Sequence, residues 1–155
     1  MAYRFTWILP DLLAGMACPG YFADMDADLD FLAYEGIQHI VTLTEHALMM
    51  PPRTPFQVHH MPVGDFGAPE NTQVLRFCEL VDAAAEKGER VMVHCLAGIG
   101  RTGTFLASYL MWKEGLTARQ ALSRVRGLRK EYVQSVEQEA FLDDWETWLR
   151  EARGR

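Results

Sequence analysis

The sequence predicts an α/β protein in which a central, mostly parallel, twisted sheet is flanked by helices. Short apolar runs alternate with longer helical stretches, which is typical of such layered folds. Most predicted strands come early, one comes late, and the C-terminal third is helical. The 155 residues are 49% hydrophobic and 23% charged, which suits one domain over residues 1–155 with a core of its own.

The first half of the chain supplies most of the strands. Residues 26–34 carry apolar side chains at helical spacing, and Gly36 is suited to ending that helix. Three prolines in residues 49–55 predict a loop. Apolar and β-branched runs predict strands at residues 5–9, 13–17, 37–44 and 57–63.

The second half supplies most of the helices around one strand. Asn71 or Thr72 is expected to cap a helix that runs to about Lys87. The strand 90–94, a glycine-rich turn 96–100 and an apolar helix 102–114 follow. Ser/Thr-x-x-Gln capping boxes predict two further helices, from Thr117 to about Leu128 and from Ser135 to about Arg150.

Composition excludes several classes of function. The net charge of −6 and a pI of about 5.3 disfavour binding to nucleic acid. Apolar runs are far shorter than the ~18 residues of a membrane span, and the first ten residues do not resemble a secretory signal. Three cysteines are too few for a disulfide framework or a zinc cluster. We therefore expect a cytoplasmic monomer with no metal, no cofactor and no membrane contact.

The charge is unevenly distributed along the chain. The stretch 119–130 carries five basic residues and no carboxylate, although the protein as a whole is acidic. Such a run is either an ordinary solvated helix face or a local surface that attracts anions, and the pattern leaves both open. Its members are Arg119, Arg124, Arg126, Arg129 and Lys130.

One segment, Val-Met-Val-His-Cys-Leu-Ala-Gly-Ile-Gly-Arg-Thr-Gly at residues 91–103, carries the chemistry. A turn containing Gly98 and Gly100 can curl so that successive N–H groups point inward and cradle an anion. The helix that follows adds its N-terminal dipole, and Arg101 offers a planar fork to two oxygens. This arrangement suits a tetrahedral oxyanion such as phosphate.

The same positive field acts on Cys95, which ends the buried strand. Helix N-termini and cationic neighbours favour the thiolate, which is the nucleophilic form of cysteine. A thiolate at the base of a phosphate cradle suits nucleophilic attack on phosphorus. A free cysteine is more often a small buried hydrophobe, but its place between His94 and a turn ending in Arg-Thr-Gly favours the nucleophile.

The run from His94 to Gly103 matches HCxxGxxR[ST]G, the signature of protein tyrosine phosphatases. The chain resembles a small atypical dual-specificity phosphatase of that superfamily, and the resemblance is closest to the VHZ type. It extends to the segments 5–15, 42–45, 65–66 and 136–139, and so covers essentially the whole chain. It implies the dual-specificity phosphatase fold and a phosphorylated protein or peptide as substrate, with phosphate, vanadate or sulfate able to occupy the loop.

The resemblance also implies roles for individual residues. Cys95 is the nucleophile, Arg101 clamps the phosphate, and the hydroxyl of Thr102 helps the sulfur to leave in the second step. His94 supports the loop without acting as a base. The backbone N–H groups that hold the phosphate belong to Leu96, Ala97, Gly98, Ile99, Gly100 and Arg101.

A leaving oxygen needs a proton, and the family places an aspartate upstream of the cysteine for that purpose. Asp65 in Gly-Asp-Phe-Gly-Ala-Pro is the candidate, on a segment whose glycines and proline suit a hinged loop. Glu70 and Asp82 are weaker candidates, and Asp82 is expected on the solvated face of a helix. The segment lacks the Trp-Pro-Asp of many relatives.

Four other features can be explained by a structural role as well as by a functional one. Gln138 matches a glutamine that positions water in some relatives, but the capping box also explains it. Glu45 either borders the active-site cleft or is a surface carboxylate. His59 and His60 point to opposite faces of a strand and are assigned to structure. The predicted core or groove packing includes Trp112, Trp145 and Trp148.

Other functions stay open at this point. A phosphoinositide or RNA 5′-phosphate phosphatase is the main alternative, supported by the basic stretch 119–130 but disfavoured by a turn without lysine. A rhodanese-type sulfurtransferase or an arsenate reductase also uses a cysteine in an anion-binding loop, without needing Asp65. A non-catalytic phosphate-binding module would be expected to lose Cys95 or Arg101.

Overall fold

The computed structural model describes residues 2–154 and contains one five-stranded sheet with helices on both faces. The strands are β1 (Thr6–Leu9), β2 (Leu13–Met16), β3 (Ile37–Thr42), β4 (Gln57–His60) and β5 (Arg90–His94). The helices are α1 (Met25–Tyr34), α2 (Asn71–Glu86), α3 (Gly100–Glu114), α4 (Ala118–Leu128) and α5 (Val136–Arg153). The predicted α/β class is confirmed.

The sheet is mostly parallel, as predicted. Its strand order is β1-β2-β5-β3-β4, and β2, β5, β3 and β4 run parallel to one another. Only β1 is antiparallel to its neighbour, because the short turn after Leu9 reverses the chain. The late strand β5 therefore lies in the middle of the sheet, between two strands from the first half of the sequence.

Alternating side chains of β5 divide the core into two clusters. Val91 and Val93 belong to the cluster formed with α2, α3, α4 and α5, whereas Met92 packs with the cluster that contains Leu29 and Leu32 of α1. This alternation follows from the two-residue period of a strand. Because both faces are covered, the three central residues of β5, Val91, Met92 and Val93, are all apolar.

Several predicted boundaries move by a few residues. Strands β3 and β4 end at Thr42 and His60, before the predicted 44 and 63, because the chain then turns into the segments that surround the site. Helix α3 begins at Gly100 rather than at residue 102. The capping boxes at Thr117 and Ser135 are confirmed.

Two other sequence predictions are wrong. Helix α2 is capped by Glu70 rather than by Asn71 or Thr72, and the N–H of Glu70 donates to Oε1 of Gln73 at 3.1 Å. Asp82 is not a solvated carboxylate: it accepts hydrogen bonds from Tyr109 at 2.7 Å and Trp112 at 2.8 Å, which join α2 to α3. In the part of the chain described, no helix is both long and apolar enough to cross a membrane.

Candidate active site

The C-terminal ends of four parallel strands meet at one edge of the sheet, where ligands of α/β proteins usually bind. Strand β5 ends at His94 and is followed directly by Cys95. The segments after β2, β3 and β4 leave the sheet at the same edge, since these strands run parallel to β5 in adjacent register. The topology thus brings residues from distant parts of the sequence around Cys95.

The Cys95 loop, residues 95–101, has its carbonyl groups engaged on its outer side. The carbonyl of Leu96 accepts from the Cys18 N–H at 2.9 Å, and that of Ala97 accepts from the Arg4 guanidinium at 2.9 Å. The carbonyl of Ile99 accepts from the N–H groups of Gly103 and Val133. These bonds fix the outer surface of the loop.

The amide groups of the same loop are free for a ligand. Within residues 2–154, the N–H groups of residues 96–101 donate to no backbone or side-chain acceptor. The N-cap residue of α3, Ile99, has no side-chain oxygen to cap the helix. A row of unpaired amides at a helix N-terminus forms a nest for an anion.

Two glycines permit this curvature. Gly98 has a φ of +79°, and a Cβ there would lie 2.5 Å from backbone atoms of Met16 and Ala17 at the end of β2. A Cβ on Gly100 would lie 2.6 Å from Oε1 of Gln134. A side chain at position 98 would force the loop away from the end of β2, whereas one at position 100 would displace the exposed side chain of Gln134.

Cys95 lies at the base of the loop and is almost fully buried. The hydroxyl of Thr102, in the first turn of α3, donates to Sγ of Cys95 at 3.1 Å. A hydroxyl that donates to sulfur stabilises the thiolate form over the thiol. The structure therefore brings together the nucleophile candidate and the hydroxyl that the sequence paired with it.

His94 supports the loop from the buried side. Its Nδ1 bonds to the carbonyl of Cys95 at 3.0 Å, and its Nε2 bonds to the hydroxyl of Thr42 at 2.9 Å. A carbonyl can only accept, so Nδ1 carries the proton and Nε2 accepts from the threonine. Burial lowers the pKa of His94 from 6.5 to about 4, so the ring is neutral at pH 7.

Arg101 places a buried positive charge at the mouth of the loop. Its side chain is only 4% exposed; Nη1 donates to the carbonyl of Val63 at 2.9 Å, and Nη2 lies 3.3 Å from Oδ1 of Asp65. Asp65 itself is 53% exposed. A buried guanidinium whose neighbouring carboxylate is largely exposed attracts a further anion.

The segment that carries Asp65 is held by helix α5 rather than left free. Phe66 has a φ of +60°, which is uncommon for a bulky residue. Its carbonyl accepts from the hydroxyl of Ser135 at 2.6 Å, and the carbonyl of Gly67 accepts from Nε2 of Gln138 at 3.2 Å. These bonds offset the strained turn and fix Asp65 beside Arg101.

Gln138 is fully buried and its amide is largely occupied. Oε1 accepts from the N–H groups of Gln134 at 2.8 Å and Ser135 at 3.3 Å, while Nε2 donates to Gly67. The side chain both caps α5 and reaches the Asp65 segment. Gln134, which the sequence reading passed over, is exposed, and its side-chain oxygen lies directly against Gly100.

Arg4 is the other residue that sequence reasoning missed. It holds the carbonyl of Ala97 from a position 93 residues earlier in the chain. A signal was available, because Arg4 is the only basic residue among the first 50, apart from histidines. An isolated cation in an acidic segment suggests a specific partner.

The remaining candidates lie outside the Cys95 loop. Glu70 caps α2 and Asp82 joins two helices. His59 bonds to Nδ1 of His39 at 3.2 Å, and His60 bonds to the carbonyl of Thr44 at 2.8 Å, in line with structural roles. Cys78 is buried in the core, where burial raises the pKa of its thiol.

The tryptophans of α3 and α5 pack between helices, and several arginines of the basic stretch bind other parts of the chain. Trp145 stacks on Trp112 and Trp148 in the core between helices. Arg126 donates to the carbonyls of Tyr132 and Val133, and pairs with Glu139. Other members are also engaged: Arg124 with Glu114, and Arg129 with Thr6.

Comparison with known families agrees with this geometry. Residues 14–115, more than half of the chain, match the family model described as "Tc-R-P: Polymorphic toxin system, DSP-PTPase phosphatase". The matched range includes all but the first residue of β2, together with β5, the Cys95 loop and α3.

Curated proteins and solved structures give the same result. The chain is 26% identical over 125 residues to the tyrosine-protein phosphatase CDC14 of Candida albicans, covering 77% of this chain and 23% of that protein. It is 38% identical over 71 residues to the mouse protein tyrosine phosphatase domain-containing protein 1, covering 46% of this chain and 9% of that protein. The chain spans less than a quarter of the length of either relative.

Among solved structures, the active form of Tk-PTP superimposes with a TM-score of 0.83 at 30% identity, covering 95% of this chain and 99% of that chain. The family indicated by the HCxxGxxR[ST]G motif is confirmed by these matches. The particular closeness to the VHZ type stays a prediction.

Proposed function

The chain belongs to the DSP-PTPase phosphatase family, and we propose that it is a cysteine-dependent phosphomonoester hydrolase acting on phosphotyrosine, and also on phosphoserine or phosphothreonine, in proteins. One observation carries the proposal: the loop after β5 bonds its carbonyls outward and leaves the amides of residues 96–101 free around Cys95. That arrangement fits the three non-bridging oxygens of a phosphate ester.

In the binding step, the phosphate dianion enters the Cys95 loop and is held by the amides of Leu96 to Arg101. The guanidinium of Arg101 clamps two of its oxygens. The hydrogen bond from Nη1 to the Val63 carbonyl keeps the guanidinium oriented, so that little ordering entropy is lost when the phosphate binds. Inorganic phosphate, vanadate and sulfate are expected to bind there as well.

In the first chemical step, the Cys95 thiolate attacks phosphorus in line with the ester oxygen. An S–P bond forms, the P–O bond breaks, and Asp65 gives its proton to the leaving oxygen. The position of Asp65 beside Arg101, 3.3 Å away, supports this role because it borders the place where the phosphate is bound. The product is a cysteinyl phosphate and a free alcohol or phenol.

In the second step, a water molecule attacks the cysteinyl phosphate while Asp65, now a carboxylate, takes its proton. The S–P bond breaks and inorganic phosphate leaves. Thr102 stabilises the departing thiolate through its hydrogen bond to Sγ. We assign orientation of the water to Gln134, whose amide borders Gly100, and assign Gln138 to positioning of the Asp65 segment through Gly67.

The competing functions are less well supported. The basic stretch 119–130 was the feature that favoured a phosphoinositide or RNA 5′-phosphate substrate. Within the protein, however, Arg124 pairs with Glu114, Arg126 bonds to the Tyr132 carbonyl and Arg129 bonds to Thr6. A sulfurtransferase has no use for an aspartate beside Arg101. No described contact favours a second function over the phosphatase.

The proposal is tested by hydrolysis of para-nitrophenyl phosphate in EDTA and reducing agent. We expect turnover in EDTA, inhibition by vanadate, and no turnover by Cys95→Ser, which should still bind phosphate. Cys78→Ala, a cysteine of the core, is the matched control and should retain activity. Equal activity of Cys95→Ser and wild type would overturn the proposal.

A further inference from the structure

A cleft of about 400 Å³ opens beside the Cys95 loop, between the segment that follows β2 and the segment that follows β3. Leu96, Arg101 and Asp65 form its inner end, so the cleft is continuous with the phosphate site. A volume of this size lies within the range of sites for whole small ligands and is larger than a phosphate group needs. The part beyond Arg101 is therefore available to the rest of the substrate.

The two walls of the cleft are largely apolar. Pro19 and Tyr21 stand on one side, and Leu48 and Met49 on the other. Tyr21 is 61% exposed and Met49 is 86% exposed, although large apolar side chains are usually covered. Contiguous exposed apolar surface of this kind marks a site of interaction.

The aromatic wall extends away from the phosphate site. The ring of Tyr21 packs edge-on against Phe22 with centroids 4.9 Å apart, and Phe22 packs against Tyr3 at 4.6 Å. All three side chains are at least 43% exposed. Their mutual packing holds them in place, so a bound apolar side chain would meet a preformed surface.

Among the residues that line the cleft, Glu45 and Asp65 carry negative charge and Arg101 carries positive charge. Arg4 lies at the far end of the aromatic wall, over the ring of Tyr3 at 4.9 Å from its centroid. Glu45 is exposed and lines the cleft. Two hydrogen bonds hold the backbone around it. The hydroxyl of Thr44 donates to the carbonyl of His46 at 2.7 Å, and the carbonyl of Thr44 accepts from Nε2 of His60 at 2.8 Å. A cationic group on the substrate would be attracted there, whereas additional anionic groups would be repelled.

We propose that this cleft binds the residues that flank the phosphorylated residue of a protein substrate. A large apolar side chain lies between Tyr21 and Met49, and a lysine or arginine pairs with Glu45. This inference rests on the proposed phosphatase function and names its substrate class. The substrates are phosphopeptide segments that carry one large apolar side chain and one basic side chain near the phosphorylated residue. A multiply phosphorylated inositol headgroup does not fit a cleft of this charge.

The test compares phosphotyrosine peptides of equal length. The first carries leucine beside the phosphotyrosine and arginine two residues further on; the second has serine in place of leucine, and the third glutamate in place of arginine. Each of the three peptides is made in two versions, one with these residues on the N-terminal side of the phosphotyrosine and one with them on the C-terminal side. We expect a difference for the version whose flanking residues enter the cleft. There, kcat/KM for the first peptide should exceed kcat/KM for the second by about tenfold. It should exceed that of the third by about fivefold at low salt and less at high salt.

Variants assign these preferences to the cleft. Tyr21→Ala should bring the leucine-to-serine ratio of kcat/KM close to one, and Glu45→Gln should do the same for the arginine-to-glutamate ratio. Tyr34→Ala and Glu151→Gln are matched controls, because both residues are exposed and neither lines the cleft. Both controls should keep the wild-type ratios.

The outcomes separate this inference from the phosphatase proposal. If wild type hydrolyses neither para-nitrophenyl phosphate nor any peptide, the proposed function fails and this inference fails with it. If wild type hydrolyses the small ester and all peptides with equal kcat/KM, only the inference is overturned. A phosphoinositide in mixed micelles that is hydrolysed faster than every peptide would also overturn it.

Discussion

The hydroxyl of Thr102 donates a hydrogen bond of 3.1 Å to Sγ of Cys95, and both residues are buried. The bond joins the first turn of α3 to the end of β5, so the helix and the strand together fix the geometry of the sulfur. A hydrogen bond to an anion in a buried site is worth more than one in water. The hydrogen bond between Thr102 and Cys95 is therefore expected to affect formation and hydrolysis of the cysteinyl phosphate differently.

Thr102→Ala is expected to slow hydrolysis of the cysteinyl phosphate more than its formation. Loss of one hydrogen bond to the departing thiolate should lower kcat about tenfold or more. Stopped-flow kinetics with para-nitrophenyl phosphate should then show a burst of nitrophenol close to one equivalent. Thr102→Ser keeps the hydroxyl and should restore most of kcat. A slow, burst-free time course for Thr102→Ala would contradict the assignment.

Asp65→Asn is expected to lower kcat/KM for phenyl phosphate by about 10²-fold, since the leaving oxygen loses its proton donor in the first chemical step. The loss of kcat/KM should be small for para-nitrophenyl phosphate, whose phenol leaves readily as an anion. Hydrolysis of the cysteinyl phosphate is common to both esters and does not enter this comparison. Glu70→Gln, a carboxylate that caps α2, is the control and should retain activity on both esters. Equal losses on the two esters would show that another group is the acid.

Arg4 is expected to act as a positioning residue for the Cys95 loop. Arg4→Met removes the donor to the Ala97 carbonyl and should raise the inhibition constant of inorganic phosphate about fivefold, which corresponds to about 1 kcal/mol of lost binding free energy. Arg4→Lys should recover part of this loss because it retains a donor. Arg76→Met removes an exposed charge on α2 and should change nothing. An unchanged inhibition constant in Arg4→Met, with an altered melting temperature alone, would indicate a purely structural role.

His94 is expected to make stability depend on pH in acid. Its pKa is about 4 in the folded protein and near 6.5 in the unfolded chain, so the unfolded state binds a proton first. The contribution of the neutral ring is complete above pH 6.5 and is lost as the pH falls towards 4. The slope from this one group is at most about 1.4 kcal/mol per pH unit.

Two measurements check this expectation. Urea unfolding of wild type and His94→Gln between pH 7 and 4 should show a shallower loss of stability in the variant, with exposed His46→Gln behaving like wild type. Because His94→Gln can fail to fold, NMR titration of the ring in wild type serves as the second readout. A ring that titrates near 6.5 in the folded protein would contradict the account.

The local parts of the fold could be predicted from the sequence. Capping boxes identified the starts of α4 and α5 because a cap is made within one helical turn. The motif at residues 94–103 likewise predicted the Cys95 loop, since its glycines, its arginine and its helix are contiguous in the chain. Strand ends were less well predicted, because they depend on neighbouring strands.

The long-range parts could not be predicted. The bond of Arg4 to Ala97 spans 93 residues, and that of Ser135 to Phe66 spans 69. Neither pair has a periodicity or spacing that would reveal it. Asp82 illustrates the same limit: its helical position suggested solvent, but its partners Tyr109 and Trp112 lie on another helix.

The cysteinyl-phosphate mechanism is tested most directly by finding where the phosphoryl group is attached during turnover. Wild type and Gln134→Ala are mixed with a phosphotyrosine peptide, quenched in acid and digested, and the phosphorylated peptide is located by mass spectrometry. We predict a phosphoryl group on Cys95 in both proteins, with more of it in Gln134→Ala and none in Cys95→Ser. Turnover by wild type with the phosphoryl group on another residue, or turnover by Cys95→Ser, would contradict this mechanism.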